Sequence, residues 1–271
     1  MGEVITSLQN PKVKQVLRLQ EKASERKKLK LTLVEGKTEI RIALNAGIPV
    51  QSIFYLQNKE KEIKNFFAEY NLQLGRVNFW AVSENVFAKI AYRENSFGAV
   101  CVVQTPENSL HNLVLASNPL VLVLENVEKP GNLGAILRTA DAAGVDAILL
   151  CNTQTDLFNP NVVRASLGCV FTQKVILCTN QEAFEFLSKN HFQILATALT
   201  ASVPYTTINY CKPTAIVMGT EATGLSTFWR QKAHQNIIIP MRGKIDSMNV
   251  SVATAIIIFE AIRQRKLTNK L

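Results

Sequence analysis

Leu120-Val121-Leu122-Val123-Leu124 is an unbroken apolar run, and Glu125-Asn126-Val127-Glu128-Lys129-Pro130-Gly131-Asn132-Leu133-Gly134-Ala135-Ile136-Leu137-Arg138 follows it directly. Five apolar residues without alternation read as a strand buried on both faces, as in a parallel sheet. Pro130 and Gly131 break the chain, and the spacing predicts a helix from about Asn132 to Ala143, stopped by Gly144. The same alternation continues downstream. Strands are expected at Ala147–Leu150, Lys174–Leu177, Phe192–Ala196, Ala215–Met218 and Ile237–Ile239. Helices are expected at Val162–Leu167, Glu182–Lys189 and Asn249–Lys266. Strands alternating with helices predict a parallel sheet with helices on both faces and ligands beyond the strand C-termini.

Upstream, the pattern fits a smaller α/β domain. Helices are expected over 11–20, 24–30, 37–46, 61–70 and 83–90, and strands over 31–34, 52–56, 78–81 and 99–103. The Pro-, Asn- and Ser-rich stretch from Gln104 to Asn118 reads as a linker. The boundary is expected near residue 112, dividing a front domain over 1–110 from a second over 111–271.

Composition narrows the function classes. The chain has 271 residues, 47% hydrophobic and 19% charged, which excludes wholesale disorder, coiled coil and collagen. No apolar run is long enough for a membrane span, and the N-terminus lacks a secretory pattern. Cys101, Cys151, Cys169, Cys178 and Cys211 are scattered, and His111, His191 and His234 are far apart. A disulfide framework and a metal site are not expected, and the cytoplasm is the expected compartment. Thirty basic residues against 21 acidic leave +9, of which +5 falls within residues 1–41. Such an excess suits a polyanionic partner. Arg26, Lys27, Lys28 and Lys30 are the densest basic cluster, with Arg164, Arg242 and Lys244 as further candidates for contact with such a partner.

Three loops could carry chemistry, each after a buried strand. In the first, Asn132 and Arg138 lie six residues apart, less than two helical turns, which also fits a helix cap and an internal salt bridge. The second, Met218-Gly219-Thr220-Glu221-Ala222-Thr223-Gly224-Leu225-Ser226, nearly matches a phosphate-binding loop. Its lysine position is Leu225, which suits an uncharged adenosine better than a triphosphate. The third runs from Ile239 to Ala253. There Ser247 and Asn249 precede an apolar helix, where helix caps also belong, and Arg242 and Lys244 share the loop. No G-x-G-x-x-G follows the first strand of either part, which disfavours a nucleotide-dependent dehydrogenase.

In this order and spacing the three loops resemble the SpoU (TrmH-type) RNA 2′-O-ribose methyltransferases. Asn132 to Arg138 is similar to the family's first motif and Gly219 to Leu225 to its second. Ile239-Pro240-Met241 with Ser247 to Ala253 is similar to the third, with Met248 where the family usually has Leu. The front part, with Leu33-Val34-Glu35-Gly36 and Phe97-Gly98-Ala99, resembles the RNA substrate-binding domain of many members. The resemblance implies a C-terminal trefoil knot, S-adenosylmethionine as cofactor, a homodimer, and structured RNA, most readily ribosomal, as substrate. It implies Arg138, Asn132, Glu221, Ser247 and Asn249 as catalytic-site residues. Thr197, Ala198, Leu199, Met218, Gly219, Ile239, Met248 and Val250 are implied as the cofactor pocket. A tRNA substrate and a non-catalytic RNA-binding role on the same fold stay open at this point.

Overall fold

The computed structural model describes residues 4–70, 72, 77–92, 97–220 and 223–268. The chain forms two compact units. One comprises the residues up to Pro106 together with Asp156–Thr172; the other comprises Glu107–Thr155 and Gln173 onward.

The first unit begins with α1 (Pro11–Glu21) and α2 (Ala23–Leu29), followed by β1 (Leu31–Glu35), α3 (Lys37–Asn45), β2 (Val50–Leu56), α4 (Glu60–Ala68), β3 (Asn78–Val82), α5 (Glu84–Ile90) and β4 (Ala99–Gln104). Asn10 starts α1 by accepting the Lys12 N–H on its side chain, and Pro11 at the first helical position has no N–H to leave unpaired. The sheet order is β1-β4-β2-β3, with β4 antiparallel to both neighbours and β2 parallel to β3. Val13, Val16 and Leu19, spaced three apart along α1, pack with Leu33, Phe54, Val86 and Val102 into one core.

The second unit carries β5 (Leu120–Glu125), α6 (Pro130–Ala143) and β6 (Ala147–Cys151). After these the chain passes through α7 (Pro160–Ala165), in the segment belonging to the first unit, and returns. It continues with β7 (Val175–Cys178), α8 (Asn180–Lys189), β8 (Gln193–Thr197), β9 (Val203–Pro204), β10 (Thr214–Met218), α9 (Thr227–Lys232), β11 (Gln235–Ile238) and α10 (Val250–Thr268). The sheet order is β7-β6-β5-β10-β8-β11-β9, and every pair is parallel. All six residues of β5 are buried, as expected for a strand covered on both faces. Val121, Val123, Leu149, Ile176, Ile194, Val217 and Trp229 form its core on one side. Each buried Leu or Val contributes roughly 1.5–3 kcal/mol by leaving water.

The strands end where the site residues stand. Asn126 and Asn152 leave β5 and β6 with φ of 54° and 51°, a left-handed conformation that asparagine tolerates better than branched residues. α6 ends at Gly144, φ 69°. α6 starts two residues before the expected position, at Pro130. Asn132 is therefore its third residue and not its cap, and Lys129 holds the cap position without a side-chain capping hydrogen bond. α9 and β9 are too short to have shown a periodicity in the sequence.

Candidate active site at the strand C-termini

The C-terminal ends of β8, β10 and β11 bring the expected cofactor positions side by side. Thr197 Oγ1 donates to the Val217 carbonyl at 3.0 Å. The Ala198 N–H donates to the Ile237 carbonyl at 3.0 Å. Met218 is buried at the end of β10, and Ile239 stands one residue past β11. Val250 is buried at the first position of α10, and Met248 is half-buried just before it. Leu199 is 59% exposed, so its side chain is not part of an enclosed wall.

The loop after β10 folds back on itself. A Cβ on Gly219 would lie 2.4 Å from the Gly224 carbonyl carbon and 2.5 Å from the Leu225 nitrogen, so only glycine allows this approach. The Gly224 N–H donates to the Thr220 carbonyl at 3.1 Å, and the Thr220 and Thr223 hydroxyls are 2.8 Å apart. Glu221 lies outside the described residues.

The first and third motifs meet directly. Asn249 Nδ2 donates to Asn132 Oδ1 at 3.1 Å, joining residues 117 positions apart. Asn249 Oδ1 also accepts from the Ser251 N–H at 2.9 Å and the Ser251 hydroxyl at 2.5 Å. Asn249 is thus both the cap of α10 and a partner of α6. Arg138 is exposed on α6 and has no hydrogen bond or ion pair among the described residues. Ser247, Arg242 and Lys244 are exposed in the loop before α10.

The basic candidates of the first unit separate into two kinds. Lys27, Lys28 and Lys30 are exposed on and just after α2. Arg26 corrects the expectation: it is 3% exposed and faces inward. Its Nε donates to Asp156 Oδ2 at 2.6 Å, and its Nη1 to the carbonyls of Leu19 at 2.5 Å and Gln20 at 3.1 Å. A guanidinium so occupied holds the protein together and is not offered to a phosphate. Arg164 is exposed on α7 and belongs to the first unit, not to the second as the boundary at 110 implied.

Sequence reasoning gave no role to Glu125, the last residue of β5, which is 1% exposed. Its carboxylate accepts from the Asn180 side chain and from the Ser226 N–H. The signal was an acid ending a wholly apolar strand. Beside it in register stands Cys151, whose sulfur is 3.7 Å from that of Cys178. The Cys151 thiol is pushed far above the ordinary cysteine range, first by its hydrogen bond with Cys178, then by burial and neighbouring acidic charge. It stays protonated and is not a nucleophile. Among the described residues no cluster of His, Cys, Asp or Glu could hold a metal ion, and no helix is long and apolar enough to cross a membrane.

The parallel sheet gathers its loops beyond β8, β10 and β11 and hydrogen-bonds its first motif to its third, as the resemblance to the SpoU methyltransferases led one to expect of a single site. The chain belongs to the SpoU rRNA Methylase family, which it matches over residues 119–259, and it matches the MRM3-like substrate binding domain over residues 10–101. It is 31% identical over 255 residues to the 23S rRNA (guanosine(2553)-2′-O)-methyltransferase RlmP of Bacillus subtilis (strain 168), covering 94% of this chain and 97% of that protein. A crystal structure of an RNA 2′-O ribose methyltransferase superposes with a TM-score of 0.84 at 35% identity, covering 97% of this chain and all of that one. The AdoMet-bound rRNA methyltransferase from Sinorhizobium meliloti superposes with a TM-score of 0.86 at 31% identity, covering 96% and 97% of the two chains.

Proposed function

We propose that this chain transfers a methyl group from S-adenosylmethionine to a ribose 2′-hydroxyl of 23S ribosomal RNA. The observation that carries the reading is the Asn249–Asn132 hydrogen bond, which joins the first and third motifs into one site.

The residues present fit the cofactor. Thr197, Ala198, Leu199, Met218, Gly219, Ile239, Met248 and Val250 include no charged side chain. Buried Met218 and Val250 suit an adenine, and strand-end backbone groups can read its edge. When bound, the cofactor supplies a methyl already activated on a sulfonium. The protein's part is to place the 2′-oxygen in line and to help its proton leave. Arg138 is exposed and unengaged among the described residues, so it is free to hold an RNA phosphate. Its guanidinium stays charged and does not act as a free base. In this reading Arg138 grips the phosphate and orients the hydroxyl, and that phosphate shares the proton. Asn132 is bonded to Asn249, and Ser247 and Asn249 line the ribose pocket.

The domain assignment is part of the proposal: 1–110 captures RNA and 111–271 carries the reaction. Family matches at 10–101 and 119–259 support it, with Asp156–Thr172 reassigned to the RNA-capturing unit. Lys27, Lys28 and Lys30, with Arg164, Arg242 and Lys244, form the phosphate-contacting set. The trefoil knot is retained. It rests on membership of the SpoU rRNA Methylase family. A homodimer, in the cytoplasm, completes the reading. Val252 and Phe259, seven residues apart on α10, are 50% and 48% exposed in its apolar first half. A helix of that kind calls for a cover, and a second copy of the chain supplies one.

The test is calorimetry with S-adenosylmethionine and its homocysteine product, followed by labelled methyl transfer to 23S rRNA and mapping of the modified ribose. Saturable binding and one ribose-methylated site are expected. No heat with either ligand overturns the reading, and transfer to tRNA alone corrects the substrate.

A further inference from the structure

We infer that Glu125 is a positioning residue that, with Asn180, forms a directed hydrogen-bond relay locking the cofactor loop after β10; the inference rests on the S-adenosylmethionine reaction proposed above. The relay begins at Trp229, fully buried on α9, whose indole Nε1–H donates to Asn180 Oδ1 at 3.0 Å. Asn180, the first residue of α8, donates from Nδ2 to Glu125 Oε1. The other carboxylate oxygen, Oε2, accepts from the Ser226 backbone N–H at 2.8 Å.

The direction of every bond is forced. An indole N–H and a backbone N–H can only donate. Asn180 must therefore turn its oxygen to Trp229 and its amide nitrogen to residue 125. Residue 125 then faces two donors and must accept on both of its terminal atoms, which a glutamate side chain does and the amide nitrogen of Gln cannot. Gln would set its amide nitrogen against another donor at a position that is 1% exposed.

The relay governs the loop because of where it attaches. Ser226 directly follows Leu225, whose nitrogen lies against Gly219. Glu125 therefore holds the far end of the Gly219–Ser226 loop, whose near end carries Met218 and Gly219. The Ser226 hydroxyl is itself buried without a partner among the described residues, so the backbone N–H is the attachment.

The experiment is a charge-swap cycle in the full-length protein: Glu125→Gln, Asn180→Asp and the double variant, with Ser226→Ala as control. Glu125→Gln leaves a donor facing a donor, and Asn180→Asp sets two carboxylates together. Each single variant is expected to raise the Kd and KM for S-adenosylmethionine roughly ten- to hundredfold, with kcat at saturating cofactor and RNA affinity near wild type. In the double variant the two side chains exchange roles. The carboxylate now at position 180 accepts from both Trp229 and the amide nitrogen at position 125, while the amide oxygen at position 125 accepts from Ser226. Every donor is satisfied again, so cofactor affinity and thermal midpoint should return to within about threefold and a few degrees of wild type. Ser226→Ala should bind cofactor as wild type does. If a single variant fails to fold, recovery of folding and binding in the double variant still supports the relay. Single variants that bind as wild type, or a double variant no better than the worse single, overturn it. A wild-type protein that binds no S-adenosylmethionine overturns the proposed function instead, and the melting midpoints of the same four proteins still decide the relay.

Discussion

Replacing Asn249 with alanine removes two separable things. One is the cap of α10, where Oδ1 accepts the Ser251 N–H at 2.9 Å; loss of such a cap costs about 1 kcal/mol. The other is the 3.1 Å bond to Asn132. It is solvent-exposed, so its loss adds about 0.5–1 kcal/mol. The sum, about 1.5–2 kcal/mol, should lower the melting temperature by about 3–8 °C in a domain of this size. Asn249→Asp separates the contributions. A carboxylate still accepts from Ser251 and is favoured at a helix N-terminus, so its melting temperature should stay within about 2 °C of wild type. It also places a negative charge where the ribose and its phosphates are proposed to sit. Methyl transfer should therefore fall at least tenfold in both variants, with cofactor binding retained. Thermal denaturation beside a transfer assay reads both effects. An Asn249→Ala protein that melts as wild type refutes the cap, and an Asn249→Asp protein with full activity refutes the pocket.

Arg138→Ala should abolish methyl transfer and leave S-adenosylmethionine affinity unchanged by calorimetry; wild-type turnover would remove Arg138 from the site. Lys27, Lys28 and Lys30 changed together to Gln should leave the fold intact and flatten the log–log salt dependence of RNA binding by about 0.7–0.9 for each phosphate no longer neutralised, as read by filter binding at several salt concentrations. Arg26→Gln should behave differently, costing on the order of 3 kcal/mol in chemical denaturation because the largely buried Asp156 loses its ion-pair partner. The Glu260 carboxyl is held below the ordinary glutamate range chiefly by its hydrogen bond from Arg263, at 2.7 Å. A depressed folded value means stabilisation that is present above the unfolded value of ~4.3 and lost as pH falls through the folded one. Glu260→Gln should accordingly flatten the loss of stability below pH ~4.3 in acid titrations followed by circular dichroism.

The elements of this fold were legible locally. Apolar runs marked every central strand of the second unit, and the glycines and asparagines at their ends marked where the chain turns. Burial of a strand on both faces leaves a signature in consecutive residues, so neighbours in the sequence suffice to see it. Asn249 was equally readable as a helix cap, because a cap acts on the two or three residues that follow it. Its bond to Asn132 was not expected; the resemblance implied only that the two residues belong to one site.

What the sequence alone determined was thus the alternation of strands and helices, the loops beyond the strand ends and the charge surplus of the first forty residues. Only the tertiary structure distinguished Arg26 from Lys27 and Lys28: all three are cations in one run, but Asp156, 130 residues away, takes the first inside. Only the tertiary structure set Glu125 between Asn180 and Ser226, 55 and 101 residues distant. Local patterning decides which backbone geometry is favourable. Whether a charge is solvated or buried depends on partners that the sheet order brings together, and in this sheet β10 enters between strands already formed earlier in the chain.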